Sequence, residues 1–227
     1  MVYLAQDSDF KKVDENWIYI GSEKEVEIPE YINGELVTST AFMFNTRGGA
    51  TPVTKVVLKH DHVTKMFGMF AYFNNSAPLL DLLEFNTSNV RDMSHMFRYS
   101  EYSGMLNLSG FDTKNVTNMK DMFTNNTNAT TLDLSSFDMS NVANTINMFS
   151  RCSNLKEIYV RTKEDGDKLK AQATANKISP NFYIVEKVDL DFKIALGNNK
   201  IENVYFKDKK GKLNELKIYR ENITELQ

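Results

Sequence analysis

Cysteine is almost missing from this chain of 227 residues: Cys152 stands alone, so no internal disulfide can form. Histidine is nearly as scarce, with three in all, and only His60 and His62 lie close together. An H-x-H on a strand offers two metal ligands on one face, but the sequence places no third, so the pair reads as structural and no metal is expected. A positive excess is absent too. The net charge is -3, and no Lys/Arg cluster interleaves with aromatics along the chain, which argues against nucleic acid as a partner. No apolar run approaches the roughly 18 residues that a transmembrane helix needs, so membrane insertion is not expected. The opening MVYLAQDSDFKK has neither the basic start nor the apolar middle of a secretory signal, and a soluble chain is expected. Finally, no set of acid, base, nucleophile and oxyanion donors stands out. Cys152 lies in MFSRCSNL, where a small buried residue fits, and no histidine is arranged to activate it. Neither an enzyme nor a cofactor is expected.

What the chain has instead is a repeated phrase. FDTKNVTNMKDMF at 111 returns 26 residues later as FDMSNVANTINMF, and Met-Phe occurs at 43, 66, 69, 96, 122 and 148. Chance placement gives roughly one such dipeptide, so the pattern is a repeat. Met43, Met69, Met96, Met122 and Met148 set the register, and Val37, Val63, Val90, Val116 and Val142 keep the same beat six residues upstream.

Each unit has two periods. Leu106-Asn107-Leu108, Leu132-Asp133-Leu134 and Ile158-Tyr159-Val160 alternate with period two, which predicts a short strand with its apolar residues inward. Phe85, Phe111 and Phe137 follow as a second inward anchor. Val116, Met119, Met122 and Phe123 then fall three or four apart, the spacing of a short helix that Thr113 or Asn115 could cap. One unit buries too little to stand alone, so neighbours must complete its core. The expected fold is an α/β solenoid of about five strand–turn–short helix coils. It divides into an N-terminal β cap (1–25), the repeats (26–162), a helical cap or linker (163–187) and a small β-rich segment (188–227).

LSGFDTKNVTNMKDMF and LSSFDMSNVANTINMF closely resemble the 26-residue repeats of bacterial surface proteins, a divergent leucine-rich-repeat group related to BspA-like proteins and found in Gram-positive bacteria, mycoplasmas and some of their phages. VEIPEYINGELVTSTAFMF is similar to that group's opening coil and MFSRCSNLKEIYVRT to its closing one. The second coil, VVLKHDHVTKMFGMF, departs by placing Leu58 and His62 where Phe and Asn are usual. The resemblance implies a leucine-rich-repeat stack with a binding role and no particular ligand.

Alignment of the units puts Asp81, Asn107, Asp133 and Tyr159 in one row facing away from the core. Met105, Thr131 and Glu157 lie on one side of it, and Ser109, Ser135 and Arg161 on the other. This mixture of small polar, acidic and aromatic groups suits a protein or carbohydrate on a cell surface, or another subunit of a larger assembly. At the C-terminus, FKIAL, IENVYF and LNELKIY alternate as three short strands. Phe192, Ile194, Val204, Phe206, Leu216 and Ile218 are there candidates for attachment or oligomerisation. The expected function is a non-enzymatic binding or adhesion module of a phage virion or tail. The alternatives are a bacterial cell-surface adhesin and a purely structural or decoration protein.

Overall fold

A computed structural model describes residues 2–50, 52–73, 79–100, 105–185, 204–207 and 213–216. The chain divides into two compact units, Met1–Val185 and Glu186–Gln227. The first opens with β1 (Tyr3–Leu4), the hairpin strands β2 (Phe10–Val13) and β3 (Asn16–Tyr19), then β4 (Glu25–Glu27) and a tight hairpin of β5 (Tyr31–Ile32) and β6 (Glu35–Leu36). Asn33 and Gly34 turn that hairpin with φ of 49° and 77°, the positive values that a two-residue Asn-Gly turn needs. The repeats supply β7 (Lys55–Val57), β8 (Leu79–Asp81), β9 (Met105–Asn107), β10 (Thr131–Leu134) and β11 (Glu157–Val160). Helix α1 (Lys163–Ala175) and β12 (Asn181–Ile184) follow.

In the second unit, β13 (Val204–Lys207) and β14 (Leu213–Leu216) pair antiparallel with Val204 opposite Leu216. Three candidate attachment residues, Val204, Phe206 and Leu216, therefore lie on this hairpin. Phe192, Ile194 and Ile218, with the FKIAL stretch, lie outside the described residues.

Strands of successive repeats pair in parallel, one repeat apart: Leu80 meets Leu106, and Leu132 meets Ile158. Among the described residues no bridge joins β9 to β10. The described strands of the first unit form a five-stranded sheet in the order β1-β4-β7-β8-β9, a three-stranded sheet in the order β10-β11-β12 and the two hairpins β2-β3 and β5-β6.

These small sheets correct the expected α/β solenoid. Among the described residues no repeat contains an α-helix, the single one being α1, so the strand–turn–short helix coils of a leucine-rich-repeat stack are not what forms. The backbone explains why. Phe42, Gly68, His95, Asp121 and Asn147, each one residue before the repeat's methionine, hold φ between 56° and 59°, a left-handed conformation that a right-handed helix excludes. The amides are also committed elsewhere. Those of Met119, Asp121, Phe123 and Asn125 donate to the carbonyls of Asn144, Ile146, Met148 and Ser150 in the next repeat at 2.8–3.0 Å. Met93, His95, Phe97 and Tyr99 do the same to Asn118, Lys120, Met122 and Thr124. The three-residue spacing comes instead from consecutive turns, closed by Val116 N to Thr113 O at 2.9 Å and Met122 N to Met119 O at 3.2 Å. The two candidate caps serve as ties between repeats: Thr113 Oγ1 donates to Asp138 O, and Asn115 Nδ2 to Ser88 O.

Repetition at this interval stacks like side chains. Phe44, Phe70, Phe97, Phe123 and Phe149 form one ladder with centroids 5.5–6.2 Å apart and planes within 8°. Phe85, Phe111 and Phe137 form a second at 5.9 and 6.0 Å. All are buried, so each ring contributes both burial and aromatic contact. Tyr19 and Phe10 extend the first ladder at its N-terminal end. At the other end α1 takes the place of a further repeat. Asp165 Oδ1 accepts the buried Met139 amide at 2.9 Å, Asn176 Oδ1 accepts the Phe149 amide at 3.1 Å, and Lys168 Nζ donates to the carbonyls of Met139 and Val142. Backbone groups that a next repeat would have paired are thus satisfied by side chains.

Candidate binding surface

The outward row of the strands begins from register. Glu25, Lys55, Asp81 and Asn107 stand side by side across β4, β7, β8 and β9, and Asp133, Tyr159 and Tyr183 across β10, β11 and β12. The lack of a described bridge between β9 and β10 therefore divides the sequence-derived row into Asp81 with Asn107 and Asp133 with Tyr159. Thr131 lies beside Glu157, and Met105 beside Leu79. Ser109 and Ser135 lie in the turns that follow β9 and β10.

Local chemistry already engages part of this surface. Asp133 Oδ1 accepts the Ser135 amide at 2.9 Å and Asp81 Oδ1 the Leu83 amide at 3.0 Å, so both carboxylates shape the turns after their strands. Lys55 lies 3.0 Å from Glu84 and 3.4 Å from Asp81, and the hydrogen bond to Glu84 raises its pKa. Arg161 is a structural tie: its guanidinium reaches Asp138 and Asp165 at 3.0 Å each, joining the end of β11 to the preceding repeat and to the first turn of α1. Tyr159 and Tyr183 stack at 5.3 Å with their planes 26° apart. The neighbouring Glu157 carboxylate pushes the Tyr159 phenol up, so the hydroxyl stays protonated and able to donate at neutral pH. Asp133, Tyr159 and Tyr183 form the part of the face with an aromatic platform and an acceptor on one sheet.

A second surface, on the turn side of the repeats, was not legible in the linear sequence. Tyr72 and Tyr99 stack 4.8 Å apart with planes at 4°; Arg47 lies over Tyr72 at 4.8 Å and Arg98 over Tyr99 at 5.0 Å. Beside them Lys65 approaches the Phe67 ring at 5.8 Å, and Phe67 packs on His95 at 4.8 Å. Here cations do interleave with aromatics, brought together from different repeats rather than from one stretch. Reading the columns of the repeat, in which Tyr72 and Tyr99 both lie four residues after a left-handed position, is the signal that finds them.

The groups weighed for chemistry have structural partners. Cys152 is fully buried, its Sγ donates to Phe123 O at 3.0 Å, and burial raises its pKa to about 11, which holds the thiol protonated at neutral pH. His60 Nε2 lies 3.2 Å from Pro29 O and His62 Nε2 lies 2.8 Å from Glu30 Oε1, each reaching back to the β5 side of the chain. Burial lowers the pKa of His60 and of His95; His95 Nε2 is 3.8 Å from Asp121, and its Nδ1 is 3.2 Å from the Arg98 guanidinium. Among the described residues no three His, Cys, Asp or Glu side chains converge as a metal site, and no helix is long and apolar enough to cross a membrane.

The stretch from the second Met-Phe unit to the end of α1 carries a family signature. Residues 64–175 match the family model described as Mycoplasma protein of unknown function, DUF285. The matched region holds the cross-repeat amide ladder, most of both phenylalanine columns and the helix that closes them. No curated protein and no solved structure matches the chain.

Proposed function

We propose that the Met1–Val185 unit is a non-enzymatic binding module that presents its outward strand face to a protein or carbohydrate partner, on a cell or virion surface or in a larger assembly. The observation that carries this reading is the group of Asp133, Tyr159 and Tyr183: a stacked tyrosine pair, half-buried at Tyr159 and exposed at Tyr183, beside an exposed acidic side chain, on a sheet whose core is filled from its other face. Tyrosine supplies large amphipathic contact area at low entropic cost, and such side chains dominate the energetics of recognition. The likeness of the repeats to the 26-residue repeats of BspA-like bacterial surface proteins supports the same reading.

The test is binding of the full chain to arrayed glycans and to surface-protein extracts, compared with the double variant Asp133→Lys, Tyr159→Ala. The expected result is a loss of at least about tenfold in affinity with folding retained, since both side chains lie outside the core. Unchanged binding by the double variant would place recognition elsewhere on the molecule, the Arg47–Tyr72–Tyr99–Arg98 surface being the next to alter.

A further inference from the structure

The inward rows of the three-stranded sheet end unfinished. Leu134, Val160 and Ile184 share one register position; the first two are 1% exposed, whereas Ile184 is 53% exposed. Tyr183 and Val185 beside it are exposed as well. At the two ends of β12 the amides of Asn181 and of Val185, just after the strand, donate to Lys156 O, just before β11, and to Val160 O at 2.7 and 2.9 Å. Alternation along a parallel strand then turns the amides and carbonyls of Phe182 and Ile184 to the opposite, outer edge. No described strand pairs with that edge.

The edge at β1 and the turn side of the last repeat are blunted, and the edge of β12 is not. At β1 the strand is two residues long, and Gln6 Nε2 donates to Leu4 O at 2.8 Å, occupying an outward carbonyl. On the turn side of the last repeat, α1 has taken the Met139 and Phe149 amides. Residues 181–185 read NFYIV, with neither a charge nor a proline, the two commonest devices that keep an edge from pairing.

We propose that two copies of the chain associate edge to edge through β12, antiparallel about a twofold axis normal to the sheet at Tyr183. This register is self-complementary. Phe182 of each copy faces Ile184 of the other as hydrogen-bonded pairs, so the two outward amides and carbonyls of each strand all find partners. An axis normal to the sheet keeps the faces in common. The exposed Ile184 side chains meet phenylalanine on the inward face, while the two Tyr183 rings meet on the outward face and prolong the Tyr159–Tyr183 stack. With no charge in 181–185, no like-charge pair opposes the contact. A strand pair this short buries much less than the roughly 1,200–2,000 Å² of a standard interface, so association is concentration-dependent. The proposal does not depend on what the strand face binds.

The experiment is light scattering of the full chain from about 1 to several hundred micromolar, paired with hydrogen exchange of the Phe182 and Ile184 amides at both ends of that range. The expected result is a mass that rises from monomer to dimer, with those two amides gaining protection in step and Ile184→Lys remaining monomeric at every concentration. A monomer throughout overturns the proposal. Protection that is already complete in the monomer also does so, since a segment of the same chain then holds the edge. A dimer that survives Ile184→Lys overturns it by placing the contact elsewhere.

Discussion

Phe111 shows what one residue contributes in a repeat of this kind. It is 3% exposed and lies between Phe85 and Phe137, at 5.9 and 6.0 Å, so truncation removes contacts to two neighbouring repeats as well as its own burial. Phe111→Ala is expected to cost about 3–5 kcal/mol, read as a lowered denaturant midpoint; a midpoint like that of the parent would contradict the ladder. The preceding residue shows the same closeness in the backbone. A Cβ at Gly110 would lie 2.4 Å from Leu83 O, so the chain approaches the previous repeat where only glycine fits. This inward set, with its leucines, phenylalanines and methionines, was legible in the sequence because hydrophobic periodicity reports burial directly.

At the scale of the element, periodicity misled. Positions three and four apart fit one face of a helix, and they equally fit successive turns closed by i→i−3 bonds; the difference lies in where the amides go, which spacing alone does not encode. A visible clue was the set of residues before each methionine, Phe42, Gly68, His95, Asp121 and Asn147, of which glycine, asparagine, aspartate and histidine are types that tolerate positive φ. Asn147 separates the two geometries. In a helix, Asn147→Ala would be more stable than Asn147→Gly by about 1 kcal/mol. At φ of 57° the order reverses, with the glycine variant the more stable by roughly 1 kcal/mol in thermal or denaturant unfolding. The turn that carries Asp138 has its own test. Hydrogen bonds from Ser140, and then the Arg161 guanidinium, hold the Asp138 carboxyl below its ordinary range. A depressed folded-state pKa contributes stability that is fully present above the unfolded value near pH 4 and is lost as pH falls through the folded value. Asp138→Asn should therefore flatten the acid limb of the stability profile below about pH 4 and leave its shape at neutral pH unchanged. An acid limb identical to the parent's would remove Asp138 from that role.

For the whole Met1–Val185 unit, the order of the repeats and the alternation of buried and exposed positions along β10 could be read from the sequence. The lack of a described bridge between β9 and β10 could not. Leu106 and Leu132 look alike in their repeats, yet no described bridge joins their strands, and nothing in local composition marks the gap. The ion pairs of Arg161, a ligand-face candidate, could not be read either, because its partners Asp138 and Asp165 are set by the packing of α1 and not by alternation along β11. The phenylalanine ladder and the cross-repeat amide bonds nonetheless run from Phe44 to Phe149 past both sheets, so the repeats are expected to unfold as one cooperative unit. Native-state hydrogen exchange of Phe123→Leu beside the parent chain tests this most directly. If the repeats hold one another, the opening free energy of the Phe42 and Phe44 amides, three repeats away from the substitution, falls by the same amount as that of Asp121 and Phe123. A loss confined to residues 118–150, with Phe42 and Phe44 unchanged, would contradict it.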